Sequence, residues 1–139
     1  MATPLHENWS LDHVGHAVKD LHAAIDLYTT KFGFTLELRE TLPEHKVDAA
    51  FVSLANTSIE LLQPLEGNTV LSKFLAARGE GLHHICFRVP SVTAELARLQ
   101  SLGIIALDLI PRPGARGTQI AFLHPKTTGG ALIELCSVK

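Results

Sequence analysis

Two distant stretches of this chain read as copies of one another. Leu11-Asp12-His13-Val14-Gly15-His16-Ala17-Val18 is matched by Leu82-His83-His84-Ile85-Cys86-Phe87-Arg88-Val89. A duplication constrains the fold strongly, because whatever the first copy builds the second must build as well. Each run reads as a strand leading into a helix. In the first copy Asp20 can cap that helix, with Leu21, Ala24, Ile25 and Tyr28 recurring at helical spacing. In the second, Ser91 can cap, followed by Val92, Leu96 and Leu99. Glycines stand where each helix should stop, at Gly33 and Gly103. Three strand-like runs then follow in each half. They are Phe34–Arg39, Val47–Leu54 and Ser58–Leu62 in the first, and Ile104–Leu109, Thr118–Leu123 and Ala131–Cys136 in the second. Between the halves, Thr69 to Ala77 has the pattern of a short amphipathic helix ending at Gly79.

The order is therefore βαβββ, twice, which makes the chain an α+β protein. Two long copies are too few for a solenoid and read as halves of one domain over residues 1–139. Module one covers about 10–64, a linker helix about 65–80, and module two about 81–137. Each module offers a curved mixed sheet with a helix on one face. The other faces are expected to close around a shared cavity.

The repeat also duplicates chemistry. His13 and His84 occupy matching places in the first strands, and Glu60 and Glu134 matching places in the last, within Ile59-Glu60-Leu61-Leu62 and Ile133-Glu134-Leu135-Cys136. Side chains alternate along a strand, so His13 shares its face with Leu11, Gly15 and Ala17, Glu60 with Ser58 and Leu62, and Glu134 with Leu132 and Cys136. A carboxylate among such neighbours is costly to bury alone. Two imidazoles and two carboxylates meeting around a divalent cation remove that cost, and the donor set suits cobalt, manganese, nickel, zinc or iron. Four protein ligands leave two positions of an octahedral site open.

The other histidines and both cysteines take ordinary roles. His16 faces away from His13, and His83 away from His84, so only one residue of the His83-His84 pair points inward. His22 and His45 read as surface residues. Cys86 and Cys136 form no CxxC pair and are expected to be reduced core residues, which points to a cytoplasmic setting. The N-terminal stretch, with Pro4, His6, Glu7 and Asn8, lacks the pattern of a signal peptide, and no apolar run is long enough to span a bilayer. A net charge of −2 gives no electrostatic case for nucleic acid or an anionic membrane.

From about Leu11 to Leu135 the repeat and the four candidate ligands resemble the vicinal oxygen chelate (glyoxalase-like) superfamily. Two motifs resemble the methylmalonyl-CoA epimerases within it: Gly81-Leu82-His83-His84-Ile85-Cys86, and Phe122-Leu123-His124-Pro125-Lys126 followed by Gly129-Gly130-Ala131-Leu132-Ile133-Glu134-Leu135. The resemblance implies a metal-dependent isomerase, a homodimer, that moves a proton at C2 of an acyl-CoA through an enolate. Glu60 and Glu134 would serve the two faces of C2. Lys126, Arg112, Arg116 and Lys73 would be candidates for a basic rim, though surface charge is the ordinary role of each. A glutamate that some bacterial epimerases place after the Pro-Glu stretch falls here on Ala49, with Asp48 beside it on the opposite face. Other members of the superfamily suggest glyoxalase I, an extradiol dioxygenase or a metal-free binding module as alternatives.

Overall fold

The computed structural model describes residues 8–138, so Pro4, His6 and Glu7 of the polar start lie outside the described residues. The chain forms two compact units. One is His13–His83, and the other joins the residues up to Asp12 to those from His84 onward.

The first unit holds β1 (Ser10–Ala17) from His13 on, α1 (Leu21–Asp26), β2 (Thr35–Leu42), β3 (Val47–Ser53), β4 (Ser58–Pro64) and α2 (Thr69–Arg78). Asp20 caps α1 by accepting from the Ala23 amide at 3.0 Å. The helix then widens into π-type turns over Leu27–Lys31, where the Phe32 amide reaches back to the Leu27 carbonyl, and Gly33 turns the chain at φ +77°. The strands lie in the order β2-β3-β4-β1, with β1 parallel to β4 and the rest antiparallel. Apolar side chains cover both faces. Leu21 of α1 packs on Ala50, Val52 and Leu61, and Leu71 and Leu75 of α2 pack on Ala17, Val47, Ala49 and Leu62. Asn68 caps α2 and also ties down the turn before β3, since its side-chain amide donates to the His45 and Lys46 carbonyls at 3.1 Å. His45 in that turn is half-buried rather than on the open surface.

The second unit repeats the plan with β5 (Gly81–Arg88), α3 (Val92–Ser101), β6 (Arg112–Pro113), β7 (Thr118–Leu123) and β8 (Ile133–Val138). Ser91 caps α3 at the Ala94 amide. The strand order is β6-β7-β8-β5, with β5 parallel to β8. Val92 and Leu96 of α3 pack against Ala121, Leu123 and Leu135.

One expected strand is absent. Residues 104–109 make only an isolated bridge, Ala106 to Leu123, and the edge strand shrinks to Arg112–Pro113. Pro111 and Pro113 remove donors that a longer ladder would need. The amides before them bond irregularly instead: Ile105 to the Thr127 hydroxyl and Leu107 to the Phe122 carbonyl. The final strand also starts two residues later than expected, at Ile133, after Gly129 and Gly130 turn the chain at positive φ.

Candidate metal-binding site

Pairing register decides which side chains meet. Residues opposite one another in a sheet project from the same face, and the next ones along project from the other. In the first unit His13 stands opposite Ser58, Gly15 opposite Glu60, Phe51 opposite Glu60, and Ala49 opposite Leu62. His13, Ser58, Glu60, Phe51 and Ala49 therefore share the face away from α1. His13 Nε2 lies 3.2 Å from Glu60 Oε1, with the residues only 4% and 6% exposed. The Phe51 ring meets the imidazole edge to face at 5.3 Å between centroids.

The second unit repeats this arrangement. His84 Nε2 lies 3.2 Å from Glu134 Oε1, and the residues are 5% and 6% exposed. Phe122 stands opposite Glu134 in register and meets the His84 ring edge to face at 5.6 Å. Each unit thus buries an imidazole and a carboxylate against an aromatic wall. Burying a carboxylate costs several kcal/mol unless a partner answers its charge. An imidazole nitrogen and a carboxylate oxygen are donors that divalent transition metals accept, so each pair fits metal ligation by its chemistry. The two phenylalanines were legible in principle, since the interval from Phe51 to Phe122 equals that from His13 to His84.

The remaining candidates fall elsewhere. His83 packs edge-on against Phe74 at 5.0 Å. His16 places Nδ1 3.1 Å from the Tyr28 hydroxyl, and burial holds its pKa below the ordinary value, partly opposed by the negative charge of Glu80. Asp48 faces away from Ala49, bonded to Arg39 at 3.2 Å and to the Thr41 hydroxyl, while Glu44 sits exposed in the turn before β3. Cys86 and Cys136 are buried free thiols. Their mutual hydrogen bond, then burial, then the charge of Glu134 push the Cys86 pKa far up, so this thiol is a poor nucleophile.

One arginine departs from the surface role expected of it, while Arg112 stays exposed. Arg116, in a left-handed backbone conformation, donates to the carboxylate of Asp12, the residue before His13. Arg88 lies 3.9 Å from the same carboxylate. Asp12 approaches Cys86 and Cys136 as well, but with Arg116 answering its charge the trio reads as a closed polar patch. Arg112 pairs with Asp108 at 3.0 Å and lies over the Phe122 ring. Lys73 and Lys126 are exposed.

Comparison with known proteins bears on this chemistry. The family model of the Glyoxalase/Bleomycin resistance protein/Dioxygenase superfamily matches residues 12–122. A Bacillus subtilis relative, the uncharacterized protein YqjC, is 37% identical over 93% of this chain and 92% of its own length. The ethylmalonyl-CoA/methylmalonyl-CoA epimerase of Cereibacter sphaeroides is 39% identical, covering 90% of this chain and 95% of that protein. A solved methylmalonyl-CoA epimerase, in complex with methylmalonyl-CoA and NH4+, superposes with a TM-score of 0.89 at 34% identity, over 94% of this chain and 95% of that one.

Proposed function

The chain belongs to the Glyoxalase/Bleomycin resistance protein/Dioxygenase superfamily and, within it, to the family of the methylmalonyl-CoA epimerases; on that premise we propose that it interconverts the two epimers of methylmalonyl-CoA at C2. The observation that carries this reading is the duplicated buried pair, His13 with Glu60 and His84 with Glu134, each at 3.2 Å. We propose that the four side chains hold one divalent cation, either cobalt, manganese, nickel, zinc or iron, within a single domain of paired modules. When bound, that cation acts as a Lewis acid toward the negative charge that develops on the substrate as C2 loses its proton.

The chain's own residues do the rest. Epimerisation removes the C2 proton on one face and returns one on the other. Glu60 and Glu134 stand at equivalent places in the two modules, so each is assigned one face, one taking the proton while the other supplies it. Phe51 and Phe122 back the two imidazoles with apolar surface, which keeps the rings in place and excludes water from the carboxylates beside them. The acyl-CoA substrate is the proposed small-molecule partner, with no role for nucleic acid or membrane. Among the described residues no helix is long and apolar enough to cross a membrane. A homodimer in the cytoplasm is the assembly and setting we propose.

The test follows deuterium from heavy water into C2 of each epimer, with Glu60→Gln and Glu134→Gln beside the wild type and metal content measured throughout. Each variant should lose inversion, with the two losing exchange on opposite faces. If both keep their metal and full exchange, the two glutamates are not the proton carriers. If the wild type ignores methylmalonyl-CoA but isomerises a glutathione hemithioacetal, the glyoxalase alternative takes its place.

A further inference from the structure

Register at the edge of the second unit brings a cation onto the face that carries His84 and Glu134. Arg112 stands opposite Ile120, Ile120 opposite Cys136, and Phe122, two residues on, opposite Glu134. Cys86 also stands opposite Glu134, with His84 two residues before it on β5. Arg112, Phe122, Glu134 and His84 therefore project from one face of the sheet.

Phe122 sits where that sheet edge is incomplete. Its main-chain groups bond to residues 104–109, the stretch that forms no strand. The Leu107 amide donates to the Phe122 carbonyl at 2.8 Å. The Phe122 amide donates to Asp108 Oδ2, also at 2.8 Å, so a side-chain carboxylate takes the place of a ladder carbonyl. An ionised acceptor makes this bond stronger than a neutral one. The other oxygen of the same carboxylate, Oδ1, pairs with Arg112 Nε at 3.0 Å. With Nε held there, the guanidinium carbon lies 5.9 Å from the centre of the Phe122 ring, within cation–π range. One carboxylate thus fixes both the main chain of Phe122 and the cation that covers its ring. The covered ring meets His84 edge to face, at 5.6 Å between centroids and 86° between planes. Rotation of an imidazole about its last torsion is soft, so its neighbours decide its plane. That plane matters for a ligand, because the ring nitrogen must aim at the metal. In the first unit Phe51 backs His13 at 1% exposure, gripped by the core. Phe122 is only half-buried, so packing grips it less.

We propose that Asp108 and Arg112 are positioning residues for His84, acting through Phe122. The two modules then orient their imidazoles by different means. The first relies on burial of its aromatic wall, and the second on an ion pair that clamps the wall at the sheet edge. The inference rests on the proposed role of His84 as a metal ligand.

Arg112→Gln is the informative variant, because Arg112 is exposed and its replacement leaves the core intact. Cobalt is titrated into chelator-stripped protein to give a dissociation constant, and the visible absorption of the cobalt form reports the geometry of its ligands. Asp108→Asn, Phe122→Leu and the double variant Arg112→Gln with Phe122→Leu are measured alike, with a thermal midpoint for each. The clamp predicts that Arg112→Gln raises the cobalt dissociation constant about two- to fivefold, the factor that an exposed cation–π contact supplies. The absorption at saturating cobalt should change as well. Asp108→Asn breaks the ion pair but keeps an acceptor for the Phe122 amide, and should shift both readings in the same direction. In the Phe122→Leu background Arg112→Gln should change the constant by less than about 1.5-fold, because the route through the ring is gone. The KM of Arg112→Gln for methylmalonyl-CoA at saturating cobalt should stay within about twofold of the wild type. The proposal is overturned by unchanged cobalt affinity and absorption in Arg112→Gln, or by an effect that persists in full without the Phe122 ring. It is equally overturned by a raised KM with cobalt binding intact, which would make Arg112 a substrate contact instead. A wild type that takes up no cobalt or other divalent metal sinks the metal reading itself. A wild type that binds cobalt beside an indifferent Arg112→Gln sinks only the clamp.

Discussion

Replacing Phe51 with alanine should damage the protein twice. The side chain is 1% exposed, stands opposite Glu60 and forms the wall behind the His13 ring. Truncating a fully buried phenylalanine removes its transfer energy and leaves a cavity, together about 3–5 kcal/mol. Within that sum the edge-on contact with His13 accounts for roughly 0.5–1.5 kcal/mol. Domains are stable by only about 5–15 kcal/mol, so the variant should be folded but fragile. Phe51→Leu keeps most of the volume and should cost no more than about 1.5 kcal/mol. Urea unfolding measures both, with and without a divalent metal. A metal that binds only the folded protein adds about 2.7 kcal/mol at a hundredfold excess over its dissociation constant. The wild type and Phe51→Leu should show most of that increment, and Phe51→Ala little of it, because its imidazole has lost the wall that orients it. A cost below about 1 kcal/mol would mean that Phe51 is not packed as described. A full metal increment in Phe51→Ala would refute the idea that the aromatic wall positions the ligand.

Three further outcomes are expected. His84→Ala should abolish tight metal binding, measured by titration calorimetry, while His83→Ala should leave it intact; the reverse result would mean that the strand register is wrong. The double variant Cys86→Ser with Cys136→Ser should keep metal and substantial turnover, and loss of turnover in a folded, metalled protein would give the thiols a role they are denied here. His16 has its folded pKa lowered by burial, so the unfolded chain binds a proton there more readily. Its contribution to stability is complete above the ordinary value of 6.5 and is lost as the pH falls through the lower folded value. His16→Gln should accordingly flatten the fall in unfolding free energy on acidification, and an unaltered pH profile would contradict this.

Much of the architecture was legible because a duplication tests itself. Strand parity selected His84 over His83, and the Ile-Glu-Leu repeat located Glu60 and Glu134 without any structure. What stayed hidden depends on pairing rather than on local pattern. Glu37 reads as one more residue of an edge strand, and only the register slip against β3 turns it toward Ser58. The ion pair of Asp12 with Arg116 joins residues far apart in the chain, and no periodicity announces it. The stretch 104–109 is apolar and β-branched enough to promise a strand, but the prolines beyond it stop the ladder from forming. Strand alternation already places Asp48 on the face opposite Ala49; the sequence does not show that Arg39 and Thr41 hold it there.

The central claim is that this chain moves a proton at C2 of methylmalonyl-CoA and requires a metal to do so. The most direct measurement is proton NMR of each purified epimer in heavy water, with the enzyme stripped by chelator and then reloaded with cobalt, manganese, nickel, zinc or iron in turn. The account predicts no exchange in the stripped protein. With at least one of those metals it predicts loss of the C2 proton signal, together with formation of the opposite epimer. Exchange at full rate in metal-free protein, or none with any of the metals in a folded protein that binds them, would contradict it.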